Sequence, residues 1–253
     1  MKTLQKIFQP FFSEGGQPRT AFIKSLQGFA HSIPLYSKRC FSRHSFSQCG
    51  EDMVLHYYLS KIQKGFYVDV GARHPFLISN TAFFYQRGWR GINIEADPSL
   101  MPPFHRSRKR DINLNLAVGN PAPSLDFFVF YNPEFNTFDP EIARKRQQKG
   151  AKVEKVLRIQ VEPLADILDR HLPPGQTIDF MSVDVEGFDL QVLQTNNWDK
   201  YAPRFLLVET LGVGSFKDLE TNETHLFLGR HDYTLVDKAG LTCIYRKATQ
   251  TVS

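Results

Sequence analysis

Cysteine is scarce in this sequence, and long apolar segments are absent. The three cysteines, Cys40, Cys49 and Cys243, are an odd number and lack the spacing of a metal site. Such usage is atypical of a disulfide-rich secreted domain, so we expect a reduced, cytoplasmic protein. No apolar run reaches the roughly 18 residues of a membrane-spanning helix. The hydrophobic content of 42% is still enough for an ordinary core.

Acidic residues are rare at the start of the chain. Residues 1–44 carry one acid, Glu14, against seven Lys and Arg residues, and their net charge is +6. Because the whole chain carries +5, the remaining 209 residues sum to −1, which disfavours a nucleic-acid partner. We treat residues 1–44 as a basic, partly helical N-terminal arm, with a helix at residues 19–30. That helix packs on the main domain or on a second subunit, as in a homodimer, or it rests peripherally on the anionic inner face of a membrane.

From residue 45 onward, short apolar segments alternate with helical ones. The predicted strands are residues 66–70, 91–94, 112–118, 125–131, 153–161, 178–183, 205–208, 233–236 and 241–245. The predicted helices are residues 51–59, 81–87, 98–105, 164–170, 190–194 and 221–230, and residues 141–150 form a polar, basic insert. This alternation indicates an α/β domain, residues 45–253, with a mainly parallel sheet covered on both faces.

Glycine is sparse where a nucleotide-type cofactor is expected to bind. Ligands of such sheets lie beyond the carboxyl ends of the strands. The relevant segments here are residues 69–72, 95–97 and 115–118. The first has one glycine, Gly71, where a dinucleotide-binding loop has three, and this disfavours a nicotinamide oxidoreductase. Asp69 can receive the ammonium of a methionine-like group, and Glu95, 26 residues later, can accept hydrogen bonds from both hydroxyls of a ribose.

Several short blocks follow one another in an order that is typical of one family. They are Ser47-Gln48-Cys49-Gly50-Glu51-Asp52, Tyr67-Val68-Asp69-Val70-Gly71-Ala72, Ser79-Asn80-Thr81, Gly88-Trp89-Arg90-Gly91-Ile92-Asn93-Ile94-Glu95-Ala96-Asp97-Pro98, Val183-Asp184-Val185-Glu186-Gly187-Phe188-Asp189 and Glu209. Together they resemble the FkbM-type methyltransferases, over about two thirds of the chain. The most specific block is the fifth, which is similar to the family's D-x-E-G-x-E/D signature.

The resemblance implies a fold, a cofactor and a set of site residues. The fold is the Rossmann-like sheet of class I methyltransferases, with seven strands of which the last is antiparallel, and the methyl donor is S-adenosylmethionine. The cofactor-binding residues that it implies are Gln48, Glu51, Asp69, Gly71, Ala72, Asn80, Thr81, Glu95, Ala96, Asp97, Ala117 and Val118. The family often has a basic residue two positions before the first Asp of D-x-E-G, where this chain has Ser182.

Three carboxylates follow two predicted strands at the same rim of the sheet: Asp184, Glu186 and Glu209. A sugar hydroxyl is a weak acid, so its methylation calls for a general base or a metal ion. Either Asp184 or Glu186 is that base, or Asp184 and Glu209 hold a divalent cation such as Mg²⁺, or these side chains anchor the cofactor or a loop. His74, which follows the Gly71 loop, is either catalytic or part of the loop structure.

We therefore expect an S-adenosylmethionine-dependent O-methyltransferase that acts on a hydroxyl of a sugar, nucleotide sugar or glycan. The sugar follows from the resemblance alone. A small secondary metabolite such as a polyketide is the alternative acceptor, and a non-catalytic Rossmann-type binding module is the alternative of another class. The run Arg144-Lys145-Arg146 is either a solvated basic face or a contact for a nucleotide-diphosphate or acidic glycan acceptor.

Overall fold

The structure, a computed structural model, describes residues 44–120, 122–132, 135–210, 212–213 and 215–248. The predicted arm, residues 1–44, lies outside these residues except for His44, so its helix and its membrane or subunit contacts stay predictions. Within the described part of the chain, no helix is both long and apolar enough to cross a membrane.

The described residues alternate between strands and helices, as the apolar pattern predicts. The strands are β1 (Phe66–Val70), β2 (Arg90–Glu95), β3 (Ile112–Asn115), β4 (Ala117–Val118), β5 (Ala122–Phe130), β6 (Val153–Glu162), β7 (Phe180–Val183), β8 (Phe205–Glu209), β9 (Tyr233–Ala239) and β10 (Thr242–Lys247). The α-helices are α1 (Glu51–Leu59), α2 (Ala82–Gln86), α3 (Met101–Ser107), α4 (Pro140–Gln148), α5 (Leu164–His171), α6 (Asp189–Gln194) and α7 (Glu223–Arg230). Among the described residues, 3₁₀ helices span Pro98–Leu100 and Phe216–Thr221.

Seven strands form the central sheet in the order β3-β2-β1-β7-β8-β10-β9. Strands β3, β2, β1, β7 and β8 are parallel, and β10 is antiparallel to β8 and to β9. This arrangement confirms the predicted Rossmann-like sheet of seven strands with the last antiparallel. The order of the strands reverses between β1 and β7, so their carboxyl ends meet where open α/β sheets bind ligands.

The central strands are buried on both faces, which explains why their sequences are unbroken apolar runs. All five residues of β1 and all four of β7 are buried. Helix α5 covers one face with Leu164, Ile167 and Leu168, whose spacing of three and four residues places them on one side of the helix. Aromatic side chains cover the other face, among them Phe84, Trp89 and Phe180, whose ring centroids lie 4.8–6.0 Å apart.

The single strand predicted at residues 112–118 is wrong, because the chain changes sheets at Leu116. Strand β3 pairs with β2 in the central sheet, whereas β4 pairs with β6 in a separate sheet of order β4-β6-β5. The Asn115 side chain closes the end of β3 by donating to the carbonyl oxygens of Glu95 and Ala96, at 2.8 and 3.1 Å. The apolar pattern is continuous through both strands and carries no sign of this break.

The polar insert between β5 and β6 contains a helix that the sequence pattern did not indicate. Helix α4 begins at Pro140 because Asp139 accepts hydrogen bonds from the backbone N–H groups of Glu141 and Ile142. Only Ala143 of this helix is buried. A helix with so little apolar surface gives no amphipathic signal, so its basic residues suggested an irregular segment.

Candidate active site

The loop after β1 is shaped by Gly71, which adopts a left-handed φ of 82°. A Cβ atom at Gly71 would lie 1.8 Å from the carbonyl oxygen of Asp184, so no other residue fits without displacing backbone. The N–H groups of Gly71 and Ala72 donate to the carbonyl oxygen of Ile94, at 3.0 and 3.2 Å. The backbone after β1 therefore lies against the ends of both neighbouring strands, β7 and β2.

Asp69, at the end of β1, is buried, and its carboxylate faces Thr81 rather than open solvent. The Thr81 hydroxyl donates to Asp69 Oδ2 at 2.8 Å. Burial raises the pKa of Asp69 to about 6, and the hydrogen bond from Thr81 and the charge of Arg108 oppose that rise. Nearby, the Asn80 side chain donates to the hydroxyl of Ser182 at 3.0 Å, which ties the loop to β7.

Behind Asp69 lies a buried ionic cluster that the sequence analysis missed. The guanidinium of Arg108 is fully buried and pairs with Asp111 Oδ2 at 2.8 Å. It also donates to the hydroxyl oxygens of Tyr67 and Thr81, at 2.8 and 2.9 Å, and to the carbonyl oxygen of Pro75, at 2.6 Å. Arg108 is thus joined to β1 and to both ends of the loop that follows it. Arg108 stands in the basic run Arg106-Ser107-Arg108-Lys109-Arg110 between a helix and a strand, and such a run carries no sequence signal for a buried position.

Glu95, at the end of β2, organises the second loop. Its Oε2 accepts from the N–H of Arg73 at 2.9 Å, and its Oε1 accepts from the N–H of Asp97 at 2.8 Å. Burial raises the pKa of Glu95, and these backbone donors oppose that rise. Asp97 caps the following 3₁₀ helix through Ser99 and accepts from the side chain of Asn136 at 2.9 Å. The two cofactor loops are therefore bonded to each other, and the insert is bonded to the second.

The remaining predicted cofactor residues lie at the borders of these loops. Ala117 is buried and Ala96 packs against the same small apolar cluster, whereas Val118 is half-buried. Gln48 is exposed. Glu51 is buried and accepts from the N–H of Cys49 at 2.7 Å, and its charge contributes to raising the pKa of Asp184. The first residue of α1, Glu51, thus brings a carboxylate close enough to Asp184 to affect its pKa.

Asp184 and Glu209, which follow β7 and end β8, form a hydrogen-bonded carboxyl pair. Burial and the neighbouring acids raise the pKa of Asp184 to about 6 and that of Glu209 to about 8. The interaction between the two carboxyls lowers the pKa of Asp184 and raises that of Glu209, so Glu209 keeps its proton to the higher pH. Asp184 has dense protein surroundings yet keeps an exposed surface, because it faces the open space beyond the strand ends. The Oε2 atom of Glu209 is buried without a hydrogen-bond partner.

The loop between β7 and α6 is held in a strained conformation by Asp189. Glu186 and Gly187 have left-handed φ values of 55° and 96°. The carboxylate of Asp189 accepts from the N–H groups of Val185 and Gly187, each at 3.2 Å. Burial raises the pKa of Asp189 to about 7. The last acid of the D-x-E-G-x-D signature is therefore a loop anchor, whereas Glu186 points outward and is exposed.

The predicted metal ligands and His74 stand in different surroundings. Within the described ranges, no group of three or more His, Cys, Asp or Glu side chains is arranged to hold a metal ion. The raised pKa values of Asp184 and Glu209 favour a bound proton over two adjacent negative charges. His74 Nδ1 accepts from the N–H groups of Phe76 and Leu77, at 3.1 and 2.9 Å, and burial lowers its pKa. This geometry favours the loop-structure interpretation of His74.

A cleft of about 580 Å³ opens beside the carboxyl pair. It lies between the loop that follows Asp184, the segment that follows Glu209 and the start of α7. The described residues that line it are Gly187, Leu190, Gln191, Gly212, Val213, Asp218, Thr221, Asn222, Glu223 and Thr224. The cleft therefore includes residues of the two segments that follow Asp184 and Glu209, and none of its described lining residues comes from the loops after β1 and β2.

Three solved structures are similar to this chain, each at low identity. The 1,6-didemethyltoxoflavin-N1-methyltransferase of Burkholderia thailandensis, with 1,6-didemethyltoxoflavin and S-adenosylhomocysteine bound, is 13% identical, covers 88% of this chain and 87% of its own, and has a TM-score of 0.39. The O-methyltransferase TomG of Streptomyces achromogenes, which is involved in tomaymycin synthesis and was solved with S-adenosylmethionine, is 11% identical, with coverages of 86% and 96% and a TM-score of 0.41. An O-methyltransferase of Bacillus cereus in complex with S-adenosylhomocysteine is 11% identical, with coverages of 96% and 97% and a TM-score of 0.35. At these scores the likenesses carry no argument about the acceptor.

The family is shown by the sequence match. No curated protein sequence matches this chain significantly. The model of the methyltransferase FkbM domain matches residues 69–235, which is more than half of the chain. The matched segment contains the loops of Asp69 and Glu95 and the carboxyl pair of Asp184 and Glu209. The chain therefore belongs to the FkbM family and is an S-adenosylmethionine-dependent methyltransferase.

Proposed function

We propose that this methyltransferase acts on a hydroxyl of a sugar, nucleotide sugar or glycan, and that Asp184 of the carboxyl pair takes the proton of that hydroxyl. The carboxyl pair is the observation that carries the proposal. An alcohol is too weak an acid to lose its proton unaided at neutral pH, whereas an amine acceptor needs less help. A base with a pKa near the working pH is suited to the task, and the pKa of Asp184 is about 6.

The sign of charge around the strand ends fits the cofactor. S-adenosylmethionine supplies a methyl group on a sulfonium sulfur, and the electron pair of the broken C–S bond returns to that sulfur. The side chains proposed to hold it, Asp69 and Glu95, are both acidic, as an ammonium group and two ribose hydroxyls require. Because Gly71 has no side chain and Ala72 only a methyl group, the cofactor can lie close to the backbone at these two residues. Two phosphates of a dinucleotide would instead face carboxylates.

The carboxyl pair accounts for the proton that the acceptor hydroxyl loses. The acceptor oxygen forms its bond to the methyl carbon as its O–H bond breaks, and the proton goes to the ionised Asp184. Glu209, which donates to Asp184, holds that carboxylate in place and keeps its unpartnered Oε2 on the buried side. Glu186 and Asp189 shape the loop on which Asp184 stands.

The position of the cleft supports a saccharide over a small secondary metabolite. A pocket for a small apolar acceptor would be enclosed by the segment of residues 125–160, which carries the insert. The cleft beside the pair is lined instead by described residues of the 187–191, 212–213 and 218–224 segments. Their side chains are mainly amides, hydroxyls and carboxylates, which suit hydroxyl groups.

The direct test is incubation with methyl-labelled S-adenosylmethionine and a panel of nucleotide sugars, oligosaccharides and cell-envelope extracts, with and without a chelator. We expect label in a saccharide fraction and no loss on chelation, because the pair holds a proton rather than a cation. Asp184→Asn should lower kcat by about 100-fold or more while the Kd for S-adenosylmethionine stays unchanged. Loss of turnover on chelation would replace the base by a metal ion, and label found only in secondary-metabolite extracts would refute the saccharide.

A further inference from the structure

The cleft beside the carboxyl pair has a position that suits an acceptor. Gly187 follows Asp184 by three residues, and Gly212 follows Glu209 by three residues. Both glycines line the cleft, so its inner end is built from the two loops that carry the pair. The loops of the cofactor side contribute none of the described lining residues.

The lining residues are uncharged or acidic. Gln191 and Asn222 contribute amides, Thr221 and Thr224 contribute hydroxyls, and no Lys, Arg or His is among the described lining residues. The amide oxygen of Asn222 accepts from the N–H of His225 at 2.9 Å, and this fixed contact leaves its NH₂ group as a donor. Amide and hydroxyl groups at these positions can pair with the hydroxyls of a sugar as donors and as acceptors.

The start of α7 would attract an anion if its charge were not already balanced. A helix N-terminus carries a partial positive charge, and acidic side chains in the first turn compensate it. Glu223 occupies that first turn and lines the cleft, and Asn222 caps the helix. Asp218, with its carboxylate bonded to the N–H of Ser215 at 2.7 Å, adds a second acid to the cleft wall. A phosphate at this place would meet two carboxylates.

Three arginines that could meet a charged acceptor are not among the described lining residues of the cleft. Arg73, whose charge acts on Asp184, follows Gly71 and belongs to the cofactor side. In the insert, Arg144 pairs with Glu141 at 2.7 Å, and Arg146 donates to the carbonyl oxygen of Phe135 at 2.9 Å. None of the three lines the cleft.

From these contacts we infer that the cleft is the acceptor subsite and that it takes an uncharged, hydroxyl-rich saccharide rather than a nucleotide diphosphate sugar. The inference rests on the proposed function and excludes one of its three acceptor forms, the nucleotide sugar. The acceptor is methylated as a free or already transferred glycan, so a reaction that releases the nucleotide diphosphate precedes this enzyme.

Binding to the full chain saturated with S-adenosylhomocysteine provides the first test. Neutral methyl glycosides and short oligosaccharides are compared with the matching nucleotide diphosphate sugars by calorimetry. We expect the neutral probes to bind at least about tenfold more tightly, because like charges oppose the diphosphate. Gln191→Ala should weaken neutral probes by about 3- to 10-fold, the value of one hydrogen bond. Gln194→Ala, on the same helix but outside the cleft, is the matched control and should leave binding unchanged.

A charge reversal gives the second test. Glu223→Lys should shift the preference toward nucleotide diphosphate sugars by about tenfold, with Glu223→Gln between the two and Glu141→Lys on the remote helix α4 without effect. Tighter binding of nucleotide sugars by the unaltered enzyme, an effect of Gln194→Ala equal to that of Gln191→Ala, or binding of neither probe class would each overturn the inference. Binding of neutral probes without any methyl transfer would instead refute the proposed function and leave the subsite standing.

Discussion

Thr81 shows how a single hydroxyl connects the interior of this enzyme to the proposed cofactor site at Asp69. It accepts a hydrogen bond from the buried guanidinium of Arg108 and donates to Asp69, at 2.9 and 2.8 Å. Both interactions favour the ionised form of Asp69, which burial alone would disfavour. Arg108 therefore acts on the cofactor site through Thr81, without facing the site itself.

Replacing Thr81 by Val should weaken cofactor binding in a way that depends on pH. Without the hydroxyl the pKa of Asp69 rises further, so fewer molecules carry the ionised carboxylate at pH 7 and the Kd for S-adenosylmethionine increases by about 3- to 10-fold. Because Asp69 ionises at higher pH in this variant, the defect should shrink between about pH 7 and pH 9. Calorimetry across that range measures it, with Thr81→Ser as the control that keeps the hydroxyl. Identical pH profiles for the two variants would show that Asp69 does not hold the cofactor as an anion.

Gly71 and Gly88 allow backbone strain to be separated from a steric clash. Both have a left-handed φ, of 82° and 88°, but an added Cβ meets the Asp184 carbonyl at Gly71 and nothing within 4 Å at Gly88. Gly88→Ala should therefore cost only the conformational term of about 1–2 kcal/mol and leave cofactor affinity intact. Gly71→Ala should lower the Tm further and weaken cofactor binding, because the loops after β1 and β7 must separate. Thermal melts and calorimetry on both variants measure these changes in Tm and in cofactor affinity. Equal effects of the two substitutions would contradict the close packing of the two loops.

At the scale of elements, the carboxyl pair exists because β7 and β8 are adjacent and parallel. Their register pairs Val183 with Val208, so the residues that follow, Asp184 and Glu209, come together at one edge of the sheet. Neither strand alone would bring these two acids together. The contact between the two carboxyls therefore depends directly on the hydrogen-bonded register of β7 and β8.

The pH dependence of methyl transfer should follow this pair. The proposed base must be ionised, so kcat/KM should rise with pH through a value of about 6, the pKa of Asp184. Glu209→Gln keeps a hydrogen-bond donor toward Asp184 and removes the group that titrates near pH 8. We expect this variant to keep the limb near pH 6 in a profile of rate against pH. A limb that disappears in Glu209→Gln, with activity retained in Asp184→Asn, would make Glu209 the base.

At the scale of the whole molecule, the concentration of acids at the strand ends affects stability. Burial and neighbouring acids raise the pKa of Asp69 and Asp184 to about 6, of Asp189 to about 7 and of Glu209 to about 8. A carboxyl with a raised pKa in the folded protein binds its proton more tightly there than in the unfolded chain. Its stabilising contribution is complete below the unfolded pKa and is lost as the pH rises through the folded pKa.

The cofactor-free enzyme should therefore become less stable between about pH 6.5 and pH 8.5, where Asp189 and Glu209 lose their protons. A loss of about 1 kcal/mol would lower the Tm of a domain of this size by about 2–4 °C, which scanning calorimetry resolves. The range begins at pH 6.5 because, below that pH, the titration of histidines with lowered pKa values, such as His74, changes the stability in the opposite direction. Asp189→Asn should reduce the slope. A Tm that rises over this range would show that these carboxyls stay ionised in the folded protein.

Much of the site was predictable from the sequence because its residues follow strands that are recognisable as apolar runs. Asp69, Glu95, Asp184 and Glu209 each end or follow such a strand, and the structure places all four at the same edge of the central sheet. Arg108 was not predictable, since three of its four partners are 27 to 41 residues away and a buried Arg looks like an exposed one in a sequence. The break between β3 and β4 was missed for the same kind of reason, because sheet membership depends on which strand lies alongside.

The amino-acid sequence by itself determined the family, the alternation of strands and helices, and the identity of the acids at the strand ends, because these depend on local patterns and ordered motifs. The tertiary structure decided which acids share a proton, which one anchors a loop and where the neighbouring cleft lies. Those properties depend on burial and on distances between segments far apart in the chain, such as the segments that follow Val183 and Val208, which come together because β7 pairs with β8. An Asp or Glu residue looks the same in a sequence wherever it lies, whereas its surroundings in the fold determine its pKa and its role.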